Sequence, residues 1–400
     1  MIDFLKLAGV FAAIVIFVWL KKPLFLSMLA GIVAASLLFS LPPMGVAEAL
    51  WKQTISIETA DLLFSFYAIF FLQLMMSKKG RLNTARVCFE RLLQNRRLTA
   101  IISSIVIGVL PSAAVMPVCA NIVDQTCGTG LDKREKTFVS CYYRHIPEMF
   151  LPTFPAVLMA ISLSRQPMGL VIMCMLPLVV AACIVVYLIF LRKIPRETER
   201  TGEEVSRRDE IKKLLGALWP LLLVLIMIIG FSISASIAAP VVILLLYLVD
   251  HFNPGDMMKN ASDSFEPVML GNLYSVMLFK NVLSATGVLA TFPRYFAGND
   301  PIILVLLFLA GTIISGSQAM IGLCLPLAMS AFPQSGIPIL VMIMGTVWAG
   351  MEISPTHICT FVAADYFKTS FKDIVLKATP AILIFTAISY CYGRLLMLIL

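Results

Sequence analysis

Charge is scarce in this chain. Lys, Arg, Asp and Glu make up only 14% of its 400 residues, 60% are hydrophobic, and there are three histidines. With a mean hydropathy of +0.93, the composition excludes an ordinary water-soluble domain, which carries about 45–50% apolar residues. Several motifs are absent as well. None of the nine cysteines stands in a Cys-x-x-Cys pair and most lie in apolar runs, so neither disulfides nor a metal site is expected and the thiols read as small hydrophobes. No nucleotide-binding loop occurs, which argues against an ATP-driven pump. The chain also lacks a His-Glu-x-x-His helix, a Gly-x-Gly-Asp pair and a Gly-x-Ser-x-Gly elbow, so it is not expected to be an enzyme. Residues 1–20 resemble a secretory signal, but Asp3 and Lys6 lie at the start, Lys21 and Lys22 follow, and no small-x-small cleavage site appears. They are expected to remain as a first span.

What the chain does contain is a series of apolar runs long enough to cross about 30 Å of hydrocarbon. Spans are expected near 4–20, 24–41, 57–76, 138–163, 169–191, 214–233, 236–250, 267–290, 337–361 and 378–398, with interrupted apolar stretches at 100–123 and 301–332. The net charge of +8 has an uneven origin. Residues 77–98 hold Lys78, Lys79, Arg81, Arg86, Arg91, Arg96 and Arg97 against Glu90 alone, and 192–213 hold eight basic and six acidic side chains. Basic residues beside spans mark the cytoplasmic face, so the charge reports orientation and needs no nucleic-acid partner. The Lys and Arg at 78–97 alternate with Leu and Val, which predicts an amphipathic surface helix.

If 77–98 and 192–213 both lie in the cytoplasm, an even number of crossings separates them. Three apolar stretches lie between, so one must enter and leave on the same side. The first is the candidate: Ile101–Leu110, the interruption Pro111-Ser112-Ala113-Ala114, then Val115–Val123 and the charged run Asp132–Lys136. The second half repeats this with Leu304–Ile314, Ser315-Gly316-Ser317-Gln318 and Ala319–Ala331. Each half then has about five spans, one re-entrant hairpin and one broken helix. Five crossings are odd, so the halves run in opposite orientations. Matched landmarks agree: Pro43 with Pro254, Gly108 with Gly311, and Pro147 with Pro355, offset by 211, 203 and 208 residues. The expectation is an all-α polytopic membrane protein of two inverted-topology repeats, 1–191 and 214–400, joined by a cytoplasmic linker at 192–213. Both termini are expected outside.

Two polar breaks, Arg144-His145-Ile146-Pro147-Glu148 and Glu352-Ile353-Ser354-Pro355-Thr356-His357, carry two of the three histidines. Hydrocarbon tolerates broken helices only where protein or a water-filled cavity covers the freed backbone, and paired breaks point to a solute site at mid-membrane. Hairpin tips expose half-helix N-termini suited to anions. Pro111, Ser112, Ala113 and Ala114 at the first tip, Ser315, Gly316, Ser317 and Gln318 at the second, and Ser354 and Thr356 in the second break are the candidate solute contacts. The other reading of such Gly and Ser runs is close helix packing. Charged groups here are dear, at least about 2.5–3.5 kcal/mol each at mid-membrane. Arg144, His145, Glu148, Glu352, His357 and Asp124 are therefore the candidates for ion or proton coupling. Arg144 has an alternative role in pairing with Glu148 one turn away, and His357 in bonding the broken backbone. Asn272, Lys280 and Asn281 share a span, with Lys280 read as snorkelling, and Glu58 and Asp61 are read as interfacial.

Leu110-Pro111, Glu135-Lys136-Thr137-Phe138, the run Tyr143–Glu148 and Ser354-Pro355-Thr356-His357-Ile358-Cys359 together resemble a prokaryotic membrane-protein family of unknown function (domain-of-unknown-function family 401). That family is grouped with the ion-transporter superfamily, alongside gluconate permeases and dicarboxylate/sodium symporters. It tends to carry Pro-Gly-Gly at the first tip, where this chain has Ala113-Ala114-Val115 and so a more crowded backbone. The resemblance implies a homodimer with a fixed scaffold and a moving transport domain in an elevator-like cycle. The expected function is secondary transport of a small anion, an organic carboxylate by preference, coupled to H⁺ or Na⁺ across the plasma membrane and needing no other cofactor. The rival is a cation/H⁺ antiporter.

Overall fold

Prolines and short polar caps cut the oily sequence into helices, and the described residues contain no strand. The computed structural model describes residues 2–93, 95–109, 115–196, 206–291, 294 and 299–400, without the side chains of Phe4 and Glu90. The expected first hairpin tip, Pro111 to Ala114, lies outside these residues, as does 197–205 of the linker.

The first half contains α1 (Ile2–Trp19), α2 (Leu24–Leu38), α3 (Pro43–Thr54), α4 (Ile57–Lys78), α5 (Arg81–Leu93), α6 (Arg96–Gly108), α7 (Met116–Cys127), α8 (Lys133–His145), α9 (Pro155–Ser164) and α10 (Met168–Ile189). The second contains α11 (Arg207–Phe231), α12 (Ala235–Val249), α13 (Pro254–Asp263), α14 (Pro267–Ala285), the short α15 (Val288–Thr291), α16 (Ile302–Ser315), α17 (Ser317–Ala331), α18 (Gly336–Glu352), α19 (Ile358–Phe367) and α20 (Phe371–Ile399). Local chemistry sets these boundaries. Pro43 and Pro254 occupy the first turns of α3 and α13, where a missing N–H is harmless. Asp132 and Glu135 form a capping box that starts α8, and Ser370 and Asp373 form one that starts α20, each satisfying two orphan backbone donors.

Among the described residues five helices, α4, α10, α11, α14 and α20, are long and apolar enough to cross a membrane. The other expected spans are shorter helices or, as the two polar breaks predicted, broken ones. Those at 24–41 and 236–250 are the 15-residue α2 and α12, about 22 Å long at 1.5 Å per residue. Those at 138–163 and 337–361 are not continuous; each is two helices around a break.

Packing between the halves is reciprocal. Helix α2 packs on α14 and α12 on α4; α9 packs on α17 and α19 on α7; α8 packs on α20 and α18 on α10. One group of contacts joins α1–α4 with α12 and α14, and another joins the hairpin and broken helices α6–α9 with α16–α20.

Ion pairs sort the helix ends into two sets. At one end Lys78 meets Asp263 at 2.8 Å, Arg81 meets Asp250, Lys193 meets Glu135 at 2.9 Å and Lys377 meets Asp132 at 3.0 Å. Burial alone would raise the Asp132 pKa, but the Glu135 N–H and the Lys377 ammonium outweigh it and hold it below the usual value. At the other end Glu58 takes Lys280 at 2.7 Å and Arg165 at 3.4 Å, and Asp300 takes Arg394. Lys280 is thus a paired cation rather than a free snorkelling one. Helix α6 leaves the first end and α7 returns to it, where Arg96 Nη2 donates to the Gln125 carbonyl at 3.4 Å. Asp300 before α16 and Gly336 after α17 both lie at the second end, Gly336 against Gln166. These four helices have 12–15 residues, about 18–23 Å of length. The amphipathic α5 buries Leu82, Ala85 and Cys88 and packs on α11.

An aromatic column backs the broken helices. Phe138, Tyr142, Trp348 and Phe385 follow one another at centroid separations of 5.2, 4.9 and 5.1 Å. The Tyr142 hydroxyl donates to the Ala182 carbonyl at 3.0 Å. Where α6 crosses α8, a Cβ on Gly108 would overlap the Arg144 carbonyl. We expect Gly108→Ala to destabilise the protein by about 1–3 kcal/mol, the usual range for overpacking. Gly311→Ala meets only the flexible Met320 side chain and should lose less. Thermal unfolding in detergent measures both, and an unchanged midpoint for Gly108→Ala would refute the close crossing.

Candidate functional site

Each break leaves helix-end carbonyls without intrahelical partners, and the sequence supplies ring N–H groups to meet them. Helix α8 ends at His145, and Pro147 lies in the tight turn Ile146–Met149 that follows. The freed His145 carbonyl accepts from Trp348 Nε1 at 2.7 Å. Helix α18 ends at Glu352, and the Met351 carbonyl lies 3.2 Å from His357 Nδ1. Thus Trp348, one turn before Glu352, caps the opposite break, while His357 caps its own. The backbone role weighed for His357 is present.

The two breaks meet side chain to side chain. His145 Nδ1 lies 2.9 Å from Glu352 Oε1, and both residues are at most 1% exposed. The imidazoles of His145 and His357 are tilted against each other with centroids 4.3 Å apart. Arg144, itself 1% exposed, donates through Nη1 to Glu148 Oε1 at 3.2 Å, the helical pairing weighed from sequence. Among the described residues, His145 Nε2 and Glu352 Oε2 are buried polar atoms without a hydrogen-bond partner.

The second hairpin tip joins this centre. Gly316, at φ +85°, takes a left-handed turn that favours glycine, and a Cβ there would come 3.0 Å from Thr356 Oγ1. Ser354 Oγ donates to the Ile313 carbonyl at 2.9 Å, closing the last turn of α16, and lies 2.8 Å from Thr356 Oγ1. The flanks of the first tip arrive from the other side: Ile107, Met116 and Cys119 pack with Cys141, Cys359 and Ala363, and Gln73 Nε2 donates to the Val109 carbonyl at 2.7 Å.

The structure therefore brings together Arg144, His145, Glu148, Glu352, Ser354, Thr356, His357 and Gly316. Ser317 Oγ reaches Met351 Sδ at 3.7 Å. The Ser315 hydroxyl is turned back onto the Gly311 carbonyl at 2.8 Å, and Gln318 approaches Met269. Asp124 stands apart, at 2.6 Å from Lys136 near the end of α7. Pro111, Ser112, Ala113 and Ala114 lie outside the described residues. Among the weaker signals, Asn272 Oδ1 accepts from the Phe25 N–H at 2.9 Å and Asn281 Nδ2 from α14 donates to the Ala49 carbonyl at 2.5 Å, so both join helices within the first contact group. Asp61 accepts from the Ser236 hydroxyl.

Sequence reading missed Trp348 and Cys359. All nine cysteines are free, and ligand-type atoms of Cys359, His145 and His357 lie within 4.8 Å of one another. The spacing His357-Ile358-Cys359 was visible in the sequence; that His145 joins it from the other half was not.

The family model described as "Protein of unknown function (DUF401)" matches residues 4–398. No curated protein matches the chain.

Removing one partner of a buried pair strands the other, typically at about 3–5 kcal/mol. We expect that loss for Glu352→Ala. The double variant His145→Ala/Glu352→Ala should be clearly more stable than the sum of the single losses predicts. A thermodynamic cycle from detergent unfolding that comes out additive would show that the two side chains do not interact.

Proposed function

We propose that this chain, which belongs to the DUF401 family of proteins of unknown function, is a secondary active transporter of a small organic carboxylate. Transport is coupled to H⁺ or Na⁺, and the protein is not an enzyme. The observation that carries the reading is the meeting of two helix breaks, one from each half, at the buried His145–Glu352 contact. Broken backbone and ionisable side chains are tolerated within a membrane where they serve a solute path. The reciprocal packing of the halves and the matching order of their helices support two inverted repeats. Short antiparallel arms returning to the end they left support re-entrant hairpins. In this reading loops 77–98 and 192–213 are cytoplasmic, both termini are outside, and the membrane is the plasma membrane.

The carboxylate is bound at the N-terminus of α17, where Gly316 permits close backbone approach and Ser317 adds a hydroxyl, with Thr356 beside it. The unpartnered ends of His145 and Glu352 take and release the coupling proton, and Arg144 with Glu148 sets the local charge. The two contact groups correspond to scaffold and moving domain of an elevator-like cycle in a homodimer. One observation favours a cation/H⁺ antiporter as the second reading: Glu352 keeps a buried oxygen with no hydrogen-bond donor, as a cation ligand would.

Reconstituted vesicles distinguish the two. We expect saturable, counterflow-competent uptake of a carboxylate, stimulated by an inward proton or sodium gradient. His145→Ala and His357→Ala should each reduce uptake about tenfold or more and flatten its pH dependence, in line with loss of a positioned proton-transfer group. Unchanged uptake and pH profile in both would remove the proton-coupling roles. Sodium-driven pH change with no organic solute present would replace the proposal with the antiporter.

A further inference from the structure

Both histidines of the central cluster have one ring nitrogen already committed, and to the same kind of partner. His145 Nδ1 faces the Glu352 carboxylate at 2.9 Å, and His357 Nδ1 faces the Met351 carbonyl at 3.2 Å. A carbonyl oxygen only accepts, so His357 Nδ1 carries the hydrogen and donates, and His145 Nδ1 does the same to the ionised Glu352 carboxylate. That fixes the tautomer of the neutral imidazole and leaves Nε2 with a free lone pair. An imidazole N–H held by a carboxylate or a backbone carbonyl is the arrangement that orients metal-ligating histidines. His145 Nε2 is buried, unpartnered and part of a fully enclosed side chain. Cys359, two residues beyond His357 in the first turn of α19, brings its buried sulfur to the same place. One ligand-type atom from each of the three residues, an imidazole nitrogen or the thiol sulfur, lies within 4.8 Å of the other two.

We propose that His145, His357 and Cys359 form a binding site for a zinc-type divalent transition ion at the junction of the two breaks. Two nitrogens and one sulfur suit such an ion and not Mg²⁺ or Ca²⁺, which take oxygen ligands. The separations are compatible with an unloaded site. Tetrahedral zinc with bonds of about 2.0–2.1 Å to nitrogen and 2.3 Å to sulfur sets its ligands about 3.4–3.6 Å apart, so the site must close by about 1 Å, within the reach of side-chain rotation. Charge is balanced too. A bound ion deprotonates a coordinating thiol, and the thiolate together with the Glu352 carboxylate offsets the two positive charges. Arg144 and Glu148, 3.2 Å apart, contribute one charge of each sign. A neutral assembly is what a low-dielectric interior tolerates. Three protein ligands leave a fourth position for water or solute, the pattern of working rather than purely structural zinc sites. Glu352 is here a positioning residue that acts through His145. The site does not rest on the transport reading, because ion binding is measured without solute or gradient, and a bound ion would take His145 Nε2 out of the proton path proposed above.

The test uses the purified full chain in detergent, stripped with a chelator and desalted. Zn²⁺ is added and the bound ion counted by mass spectrometry, and Co²⁺ serves as the optical probe. One Zn²⁺ per chain is expected, with a thiolate-to-cobalt charge-transfer band in the near ultraviolet. Cys359→Ser should abolish the band, and Cys359→Ser and His357→Ala should each weaken Zn²⁺ binding about tenfold or more. Glu352→Gln should weaken it by about 10–100-fold while keeping the band, as for other outer-shell partners. Cys324→Ser, at a cysteine remote from the cluster, should leave both unchanged. If the variants do not fold, protection of Cys359 from alkylation by Zn²⁺ in the unmodified chain decides the matter. Substoichiometric binding, binding that Cys359→Ser and His357→Ala retain in full, or an alkylation rate indifferent to Zn²⁺ would overturn the site.

Discussion

The contact between His145 and Glu352 is the constraint on which the centre of this molecule depends. Both side chains are shut off from solvent, and neither has a comparable alternative partner on its own helix. Their separation of 2.9 Å holds the end of α8 against the end of α18. The surrounding interactions depend on that registration. Trp348 meets the His145 carbonyl only if α18 ends one turn beyond it, and Ser354 reaches α16 only because the chain turns immediately after Glu352. Slide one break along the other by a residue and several backbone groups lose their partners together. In a medium without water each such loss is expensive.

Around that contact the molecule separates its tasks. Apart from the central Arg144–Glu148 pair and Glu352, Lys and Arg pair with carboxylates at partly exposed sites at the two ends. Pairs of that kind add little stability, but they fix which helix ends lie together. Packing is entrusted to the aromatic column from Phe138 to Phe385 and to glycine crossings, Gly108 on Arg144 and Gly350 on the Leu309 carbonyl. Each half thus joins its hairpin arm to its broken helix through a glycine, though the glycine sits on the arm in one half and on the broken helix in the other.

Much of this was legible in the residues. Pro147 and Pro355 announced the breaks because proline removes a backbone donor and disturbs the preceding turn. The run Ser315-Gly316-Ser317 announced the second tip, where one glycine at positive φ divides α16 from α17. The i,i+4 spacing of Arg144 and Glu148 gave their pairing. Contacts across the halves were not legible, since nothing local in Glu352 points to His145 across 207 residues. The neighbourhood of Cys359 was hidden for a related reason. A thiol in an apolar run looks like any small hydrophobe, and only tertiary packing brings it beside two imidazoles. Asp124 was equally hard to place from sequence, and its helix carries it away from the centre towards Lys136.

The distance in sequence between His145 and its carboxylate also sets an order of events at the ribosome. At translation rates of about 5–20 residues per second, Glu352 is made roughly 10–40 s after His145. The nascent amino-terminal half enters the bilayer with an imidazole and a helix-end carbonyl that nothing yet made can satisfy. The central contact can therefore close only after α18 has been made.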